Sequence, residues 1–422
     1  MSQSSINLGQ ISIYDKSPVL HDQRCLIHSY IPKPPGFKLK TYIKKVIKLI
    51  YLWSFWHLKK TINNVLPENP KCIAVASGSN LGGAIISLPL IEAVRKRWPN
   101  SHLIIIANTQ HSLDIVKYAG IGDDFIIAPI VSFKNSFFNS KVLDFQNLLQ
   151  NFAIDIFISN HNFTLDFLLA PLKIPFRIGS TGNNIYGDLL EWDGLYNIPV
   201  ACKRGINWLD SYSDIAKKFQ ESDLASPKIY VSNKDKIDAR LKFLDSDFSK
   251  DTKFVAVQAG VWEQHSFKQW PIELLVKTCK SLLSDYGLIP IVFGVRGQED
   301  TAEMLQNELT SSSVLNLVGK TSPSEAASVI SQCSVCIAND SGLMHLSVAV
   351  GTPTVFLCGV TDLTWVYGHK KNCRIIRHSD CLPCYAINRH LVNSCKNKPC
   401  LSAIQSKTVV SAVDELLRSI NN

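Results

Sequence analysis

Val335-Cys-Ile-Ala-Asn339-Asp340-Ser341-Gly342-Leu-Met-His345-Leu-Ser-Val-Ala-Val-Gly351-Thr-Pro-Thr-Val-Phe-Leu357 is the stretch that decides the fold. Its apolar opening predicts a buried strand over Val335–Ala338. A polar turn follows at 339–341, and residues 342–350 read as a helix that stops at Gly351. Thr354–Leu357 is then a second strand. Strand, helix, strand with so short a linker is a parallel βαβ unit, whose sheet carries helices on both faces.

Working outward, the same alternation holds on both sides. Upstream come strand Phe254–Gln258, helix Pro271–Tyr286, strand Ile289–Phe293, helix Asp300–Leu309, short strand Val314–Val318 and helix Pro323–Gln332. Downstream, Ile404–Ile420 is an amphipathic helix. An independent run begins at Lys71: strand Cys72–Ala76, turn Ser77–Gly83, helix Ala84–Trp98, and strands His102–Ala107, Asp124–Ala128 and Ile154–Ser159 with helices between them. The expectation is α/β, two Rossmann-like domains with parallel sheets, over 70–245 and 246–422. Two such halves leave a cleft, and open α/β sheets bind ligands at the carboxyl ends of their strands. Residues 180–250 read as polar connecting helices, and residues 1–35 as irregular, ending in Pro32-Lys-Pro-Pro-Gly36.

The 422 residues are 46% hydrophobic and 19% charged, which excludes a mostly disordered chain. No apolar run reaches the roughly 18–20 residues that span a bilayer. The polar start lacks the order of a secretory signal, so a cytoplasmic chain, soluble or peripheral on the inner membrane, is expected. The net charge of +9 is concentrated in residues 1–70 and 367–400, which argues against a nucleic-acid binder. An N-terminal extension, 1–69, holds the acid-free segment Phe37–Leu66, with Lys38, Lys40, Lys44, Lys45, Lys48, Lys59 and Lys60 around Trp53, Phe55 and Trp56. A basic amphipathic helix of this kind suits an anionic membrane surface, and equally a helix packed on the globular body.

The chemistry gathers at predicted strand ends. Asn339–Gly342 opens a helix, whose free amides and dipole favour a phosphate. Gly342 permits close approach, Ser341 offers a hydroxyl, and His345 lies one turn on, where it can add a charge-assisted bond. The same residues also suit an N-cap with a core histidine. Lys268, in Lys268-Gln-Trp-Pro271, can neutralise a diphosphate or stand as a solvated loop lysine. Gln298-Glu299 can take ribose hydroxyls, and Asn316-Leu-Val-Gly-Lys-Thr321 ends another strand. By the alternation rule all four share one edge of the second sheet.

On these motifs the run Phe254–Asp362 resembles the bacterial family-nine glycosyltransferases, the ADP-heptose:lipopolysaccharide heptosyltransferase group. The matching residues are Ala259-Gly260, Lys268-Gln-Trp-Pro271, Gly319-Lys-Thr321, Asp340-Ser-Gly-Leu-Met-His345, Gly351-Thr-Pro353 and Gly359-Val-Thr361. Leu81-Gly-Gly83 through Leu88-Pro89 and Trp98-Pro99 extend the resemblance into the first half. It implies a GT-B fold of two facing Rossmann-like domains. It implies transfer of a sugar, heptose first, from an ADP-sugar to a cell-envelope glycan such as lipopolysaccharide core, without a metal for transfer. Asp340, Ser341, Gly342 and His345 would hold the donor and Lys268 its departing diphosphate. Glu299, or Gln298, would take the ribose, and Thr321 would lie near the adenine.

One departure stands out. The family's first loop carries an Asp placed as general base, and here that position is Gly83. An inverting transfer needs a group to take the acceptor's proton. Asp123, Asp124 and Asp155 are available, and His161, just past the strand ending at Ser159, has a suitable titration range. A non-catalytic nucleotide-sugar binder is the rival reading, and a heptosyltransferase acting on a protein is a third. Finally, Cys381-x2-Cys384-x10-Cys395-x4-Cys400 spaces four thiols as a closed tetrahedral site for structural zinc or iron would, with four reduced thiols as the alternative. The resemblance adds that some autotransporter-directed heptosyltransferases hold iron in such a finger.

Overall fold

The computed structural model describes residues 7–8, 11–14 and 65–421, except 131–138, 161–162, 184–188, 191–195, 203–207, 245–247, 262, 310–312, 362–371, 379–380, 382–383, 385–391, 393–394 and 396–398. The chain forms two compact units, Leu26–Pro227 and Met1–Cys25 joined with Lys228–Asn422. The division falls at 227/228 rather than at the expected 245/246. Just past that point, the Ile229 amide already donates to the Ala349 carbonyl of the second unit. The basic segment 37–64 lies outside the described residues.

The opening residues are less irregular than their composition suggests. Strands β1 (Asn7–Leu8) and β2 (Ile11–Tyr14) form an antiparallel pair. They belong to the sheet of the second unit.

The first unit is built on β3 (Cys72–Ala76), β4 (His102–Ala107), β5 (Asp124–Ile127), β6 (Ile156–Ser159), β7 (Phe176–Asn183), β8 (Leu189–Leu190) and β9 (Ile198–Cys202). The order is β5-β4-β3-β6-β7-β8, with β9 pairing parallel to β7 off that path. β3 and β6 are buried along their whole length, as strands covered on both faces should be. Strand order reverses between β3 and β6, so their carboxyl ends, at Ser77 and Asn160, mark the switch point where such sheets bind ligands. Helix α1 (Leu81–Arg97) starts there, capped by Asn80, whose side chain accepts from the Gly83 amide at 2.8 Å. Two more helices matter below: α2 (Gln110–Ala119) and α3 (Phe163–Leu169), the latter directly after β6.

The second unit contains β10 (Lys253–Gln258), β11 (Leu288–Phe293), β12 (Leu315–Asn316), β13 (Val335–Asn339), β14 (Thr354–Leu357) and β15 (Cys373–His378). Its sheet runs β1-β2-β15-β14-β13-β10-β11-β12. All pairs from β15 to β12 are parallel, while β2 adds antiparallel to β15. The order reverses between β10 and β13. The helices are α4 (Ile272–Tyr286), α5 (Glu299–Glu308), α6 (Pro323–Ile330), α7 (Gly342–Val350) and α8 (Ser406–Asn421). α6 begins with a capping box, Ser322 with Glu325, and Pro323 in its first turn. α7 ends at Gly351, whose φ of 89° is the left-handed conformation that terminates a helix. Trp270 locks α8 to the sheet: its indole is buried in the core and donates to the Ile404 carbonyl at 3.1 Å.

Strands β7, β9 and β15 are absent from the sequence-based pattern. β9 carries Pro199, which argues against a strand, and β15 carries two arginines. Both arginines are buried and bonded: Arg374 to Glu415 at 3.4 Å, and Arg377 to the Cys381 carbonyl at 2.8 Å.

Candidate functional site

The register of the second sheet brings the predicted motifs to one edge. Gln258 pairs with Phe293, Val292 with Asn316, and Asn339 with Leu357, so the loops after β10, β11, β12, β13 and β14 leave the same side. At the switch point the β10 and β13 ends are tied by one side chain. The Gln258 Oε1 accepts from the Asn339 amide at 3.0 Å and from the Ser341 hydroxyl at 2.8 Å, while its Nε2 donates to the Gly260 carbonyl at 2.6 Å. Gln258 was not among the expected site residues. Its signal was its place at the end of the apolar run Phe254–Val257.

Ser341 is therefore committed. Its hydroxyl donates to Gln258, and its oxygen accepts from the Leu343 amide at 3.2 Å as the N-cap of α7. Of the first-turn amides this leaves Gly342 and Met344 as the donors best suited to an anion.

Lys268 is not a solvated loop lysine. Its Nζ sits 2.5 Å from Asp340 Oδ2, with side chains only 15% and 12% exposed. The Thr361 hydroxyl donates to the same oxygen at 2.5 Å. Burial pushes the Asp340 carboxyl up, but the Lys268 charge and the two hydrogen bonds outweigh it and hold the pKa below the usual range. His345 is buried on α7 beside this pair. Burial pulls its pKa down to about 4, with Lys268 acting in the same direction and Asp340 opposing. The imidazole is thus neutral near pH 7, and a charge-assisted bond from it would draw its charge from the phosphate.

Gln298 is fixed at both ends of its amide, to the Val295 amide at 3.2 Å and the Val261 carbonyl at 2.9 Å. Glu299, at the start of α5, accepts from the Gly297 amide through Oε2 at 2.7 Å. Among the described residues, Glu299 Oε1 forms no further hydrogen bond or ion pair, and the side chain is half-buried. Thr321 follows Gly319, whose φ of 66° turns the β12 loop back under Gly294.

In the first unit the expected carboxylates lie at the wrong end of the sheet. Asp155 accepts from the Lys71 and Cys72 amides before β3, Asp123 from the Leu103 amide at the start of β4, and Asp124 opens β5. All three are at amino ends, opposite the switch point, and drop out as bases for chemistry there. His161 lies outside the described residues. Gly83 is packed against Gly78: a Cβ on Gly78 would meet the Gly83 backbone at 2.0 Å, while one on Gly83 would find Gly78 Cα at 3.2 Å.

The defining pattern of glycosyltransferase family 9 (heptosyltransferase) matches residues 146–393, more than half of the chain. The chain belongs to glycosyltransferase family 9. It is 34% identical over 98 residues to lipooligosaccharide heptosyltransferase 2 of Haemophilus influenzae, covering 22% of this chain and 28% of that protein. It is 26% identical over 290 residues to lipopolysaccharide heptosyltransferase 1 of Campylobacter coli, covering 67% of this chain and 77% of that one. The alignment thus spans under a third of the Haemophilus protein and about three quarters of the Campylobacter one. The structure superposes on that of E. coli ADP-heptose lps heptosyltransferase II with a TM-score of 0.67 at 19% identity, over 83% of this chain and 99% of that one. Each family 9 unit is Rossmann-like with a parallel sheet, and the fold is GT-B-like.

Among the described residues, no group of three or more His, Cys, Asp or Glu side chains is arranged to hold a metal ion. The four clustered cysteines are nevertheless neighbours. Burial, then the charges of Cys381, Cys384 and Cys395, push the Cys400 thiol up to about 12. Cys381 and Cys384 pack against the same core as Cys400. No described helix is long and apolar enough to cross a membrane.

Proposed function

We propose that this family 9 chain transfers a heptose from ADP-heptose to a cell-envelope glycan, the lipopolysaccharide core. The observation that carries the reading is the constellation at the second sheet's switch point: Asp340 held by both Lys268 and Thr361, beside the Gln258-braced start of α7. In this reading the Gly342 and Met344 amides and Lys268 receive the diphosphate. Lys268 exchanges Asp340 for phosphate oxygens and neutralises the charge that builds as the nucleotide leaves. His345 contributes as a neutral hydrogen-bonding group. Glu299 takes the ribose, and Thr321 lies near the adenine. The acceptor's proton goes to a group at the carboxyl end of β6, where the sequence offers His161.

Two finer assignments belong to the same reading. Cys381, Cys384, Cys395 and Cys400 would supply the all-thiolate donor set of a structural zinc or iron; the Cys-x2-Cys spacing and the packing of Cys381 and Cys384 on the core that holds Cys400 support it. Such a metal would brace the segment after β15 and take no part in transfer. The basic segment 37–66 is assigned to an anionic membrane surface, which would place the enzyme peripherally on the inner membrane.

Gly83 favours a second reading, a non-catalytic nucleotide-sugar binder. A protein acceptor docked by the basic 367–400 region is the remaining alternative for the substrate. Calorimetric titration with a panel of nucleotide sugars, followed by turnover with the tightest binder and core lipopolysaccharide or a protein acceptor, separates the three.

A further inference from the structure

The Lys268, Asp340 and Thr361 constellation is held from behind by a short turn that no reading so far has used. Pro399–Ser402 is a single helical turn. The Ala403 amide donates to the Pro399 carbonyl at 3.1 Å, and the Ile404 amide to the Leu401 carbonyl at 3.0 Å. Leu401 and Ile404 are buried in the same core as Trp270 and Val360. Two contacts join this turn to the loops that carry the site. Trp270, two residues past Lys268, donates its indole N–H to the Ile404 carbonyl, while its amide donates to Asn339 Oδ1 at 3.3 Å, next to Asp340. Leu401 lies against Gly359, two residues before Thr361.

The second contact is unusually close. A Cβ on Gly359 would meet Leu401 Cγ at 2.7 Å and its two methyl carbons at 3.0 and 3.2 Å, inside the separation at which carbon atoms pack. Gly359 is not among the glycines with positive φ, so its missing side chain serves this approach and not a left-handed turn. Leu401 is buried, and close-packed interiors pass displacement on to their neighbours. From Gly359 the chain runs through buried Val360 to Thr361, with Cys358 Sγ on the Thr361 carbonyl at 3.6 Å. Thr361 is buried as well, so the place of its hydroxyl follows the backbone of this loop.

Lys268 and Thr361 share one acceptor, Asp340 Oδ2. When Lys268 turns to a diphosphate, that buried carboxylate loses its counter-charge. The Thr361 hydroxyl is then its remaining hydrogen-bond donor among the described residues. A buried charge left unsatisfied is costly, so the Thr361 bond matters more with the donor bound than without it. It eases the release of the lysine.

We propose that Leu401 is a positioning residue of the donor site: by packing on Gly359 it holds Thr361 against Asp340, so that Lys268 can pass from the carboxylate to the diphosphate. This rests on the transferase reading above. Leu401 contributes no polar atom and acts through Thr361. The same turn steadies the lysine's side of the pair through Trp270, so both partners of Asp340 are referenced to one short segment.

The test is calorimetric titration of ADP into full-length variants whose melting curves are recorded. Thr361→Val should weaken ADP roughly tenfold, the lower end for a hydrogen bond to a charged group. Leu401→Ala should weaken it roughly three- to tenfold, and the two losses should overlap: with Thr361→Val in place, Leu401→Ala should add less than about twofold. Gly359→Ala, one methyl pressed against Leu401, should weaken ADP in the same way, and it keeps the proposal open to test if Leu401→Ala does not fold. Leu401→Met conserves volume and should bind ADP as wild type does. Leu282→Ala is the control for lost packing alone. Leu282 is buried in the same core but lies near the C-terminal end of α4, toward the opposite edge of the sheet. It should melt at lower temperature with ADP affinity unchanged. A folded Leu401→Ala or Gly359→Ala with wild-type affinity overturns the proposal while leaving the transferase reading intact. So do losses that add in full with Thr361→Val, or an equal loss in Leu282→Ala. A wild type that binds no ADP overturns both.

Discussion

Lys268 offers the sharpest perturbation because it has a partner to lose on each side of the reaction. Its ammonium lies 2.5 Å from Asp340 Oδ2 in a largely buried position. Lys268→Ala would leave that carboxylate, among the described residues, hydrogen-bonded to the Thr361 hydroxyl. Removing one member of a buried ion pair costs about 3–5 kcal/mol, less whatever protonation of Asp340 relieves. A loss of ADP affinity in this variant alone would therefore mix a damaged site with a missing contact. Lys268→Met/Asp340→Asn removes both charges and should recover most of the stability. It still lacks the ammonium, and a charged hydrogen bond to phosphate is worth about 1.5–3 kcal/mol, a loss of roughly ten- to hundredfold in affinity. Asp340→Asn alone breaks the lysine's ion pair with Asp340 and removes a negative charge beside the proposed diphosphate position, so ADP should bind at least as tightly as in wild type. The assay is calorimetric titration of ADP into variants whose melting curves have been recorded. A double variant that binds ADP as wild type does would refute the role given to Lys268 and reduce the pair to a structural one.

Further outcomes follow from the same geometry. Protein purified under reducing conditions should contain about one zinc or iron per chain, and Cys381→Ser/Cys384→Ser should release it and lower the melting temperature; a metal-free, fully stable protein would leave four plain thiols. Full-length protein should bind vesicles containing anionic lipid at low salt and leave them as salt rises, and deletion of residues 1–66 should abolish this; indifference of the full chain would remove the membrane assignment. Stability should carry two opposed pH signatures. His345, with its pKa lowered to about 4, costs stability as pH falls from about 6.5 toward 4, because the unfolded chain takes up the proton first. Asp166, raised from 3.8 to about 7, costs stability as pH rises through that interval, a total of order 4 kcal/mol. Asp166→Asn should flatten the second slope, and denaturant melts at pH 5 and pH 8 read it directly.

Much of the architecture was legible because the chain obeys its own periodicity. The runs Cys72–Ala76, His102–Ala107 and Thr354–Leu357 are short, apolar and bounded by turn residues, and each is a strand over that span. Where strands carry polar groups the pattern failed. Arg374 and Arg377 in β15 look solvated in sequence but are buried and bonded to Glu415 and to the Cys381 carbonyl. Pro199 in β9 reads as a breaker, yet β9 pairs along the whole of its length with β7. The convergence of Lys268, Asp340 and Ser341 on one edge was readable from alternation alone. That Lys268 lies against Asp340 was not, since 72 residues separate them and no local rule joins them. Asp166 is buried, which was unreadable for the opposite reason. It sits among Phe163-Thr-Leu-Asp-Phe-Leu-Leu169 as one acid in an apolar helix, and only the packing of Tyr196 over Gly179 shows what it faces.

The measurement that bears most directly on the central claim is release of ADP from ADP-heptose by the purified full-length protein, with core lipopolysaccharide lacking its heptose as acceptor and the glycan product followed by mass spectrometry. The account predicts one ADP released for each heptose added, and the loss of both signals in Lys268→Met/Asp340→Asn. A protein that binds ADP-heptose yet transfers nothing to that acceptor, or one that transfers equally well in the double variant, would contradict it.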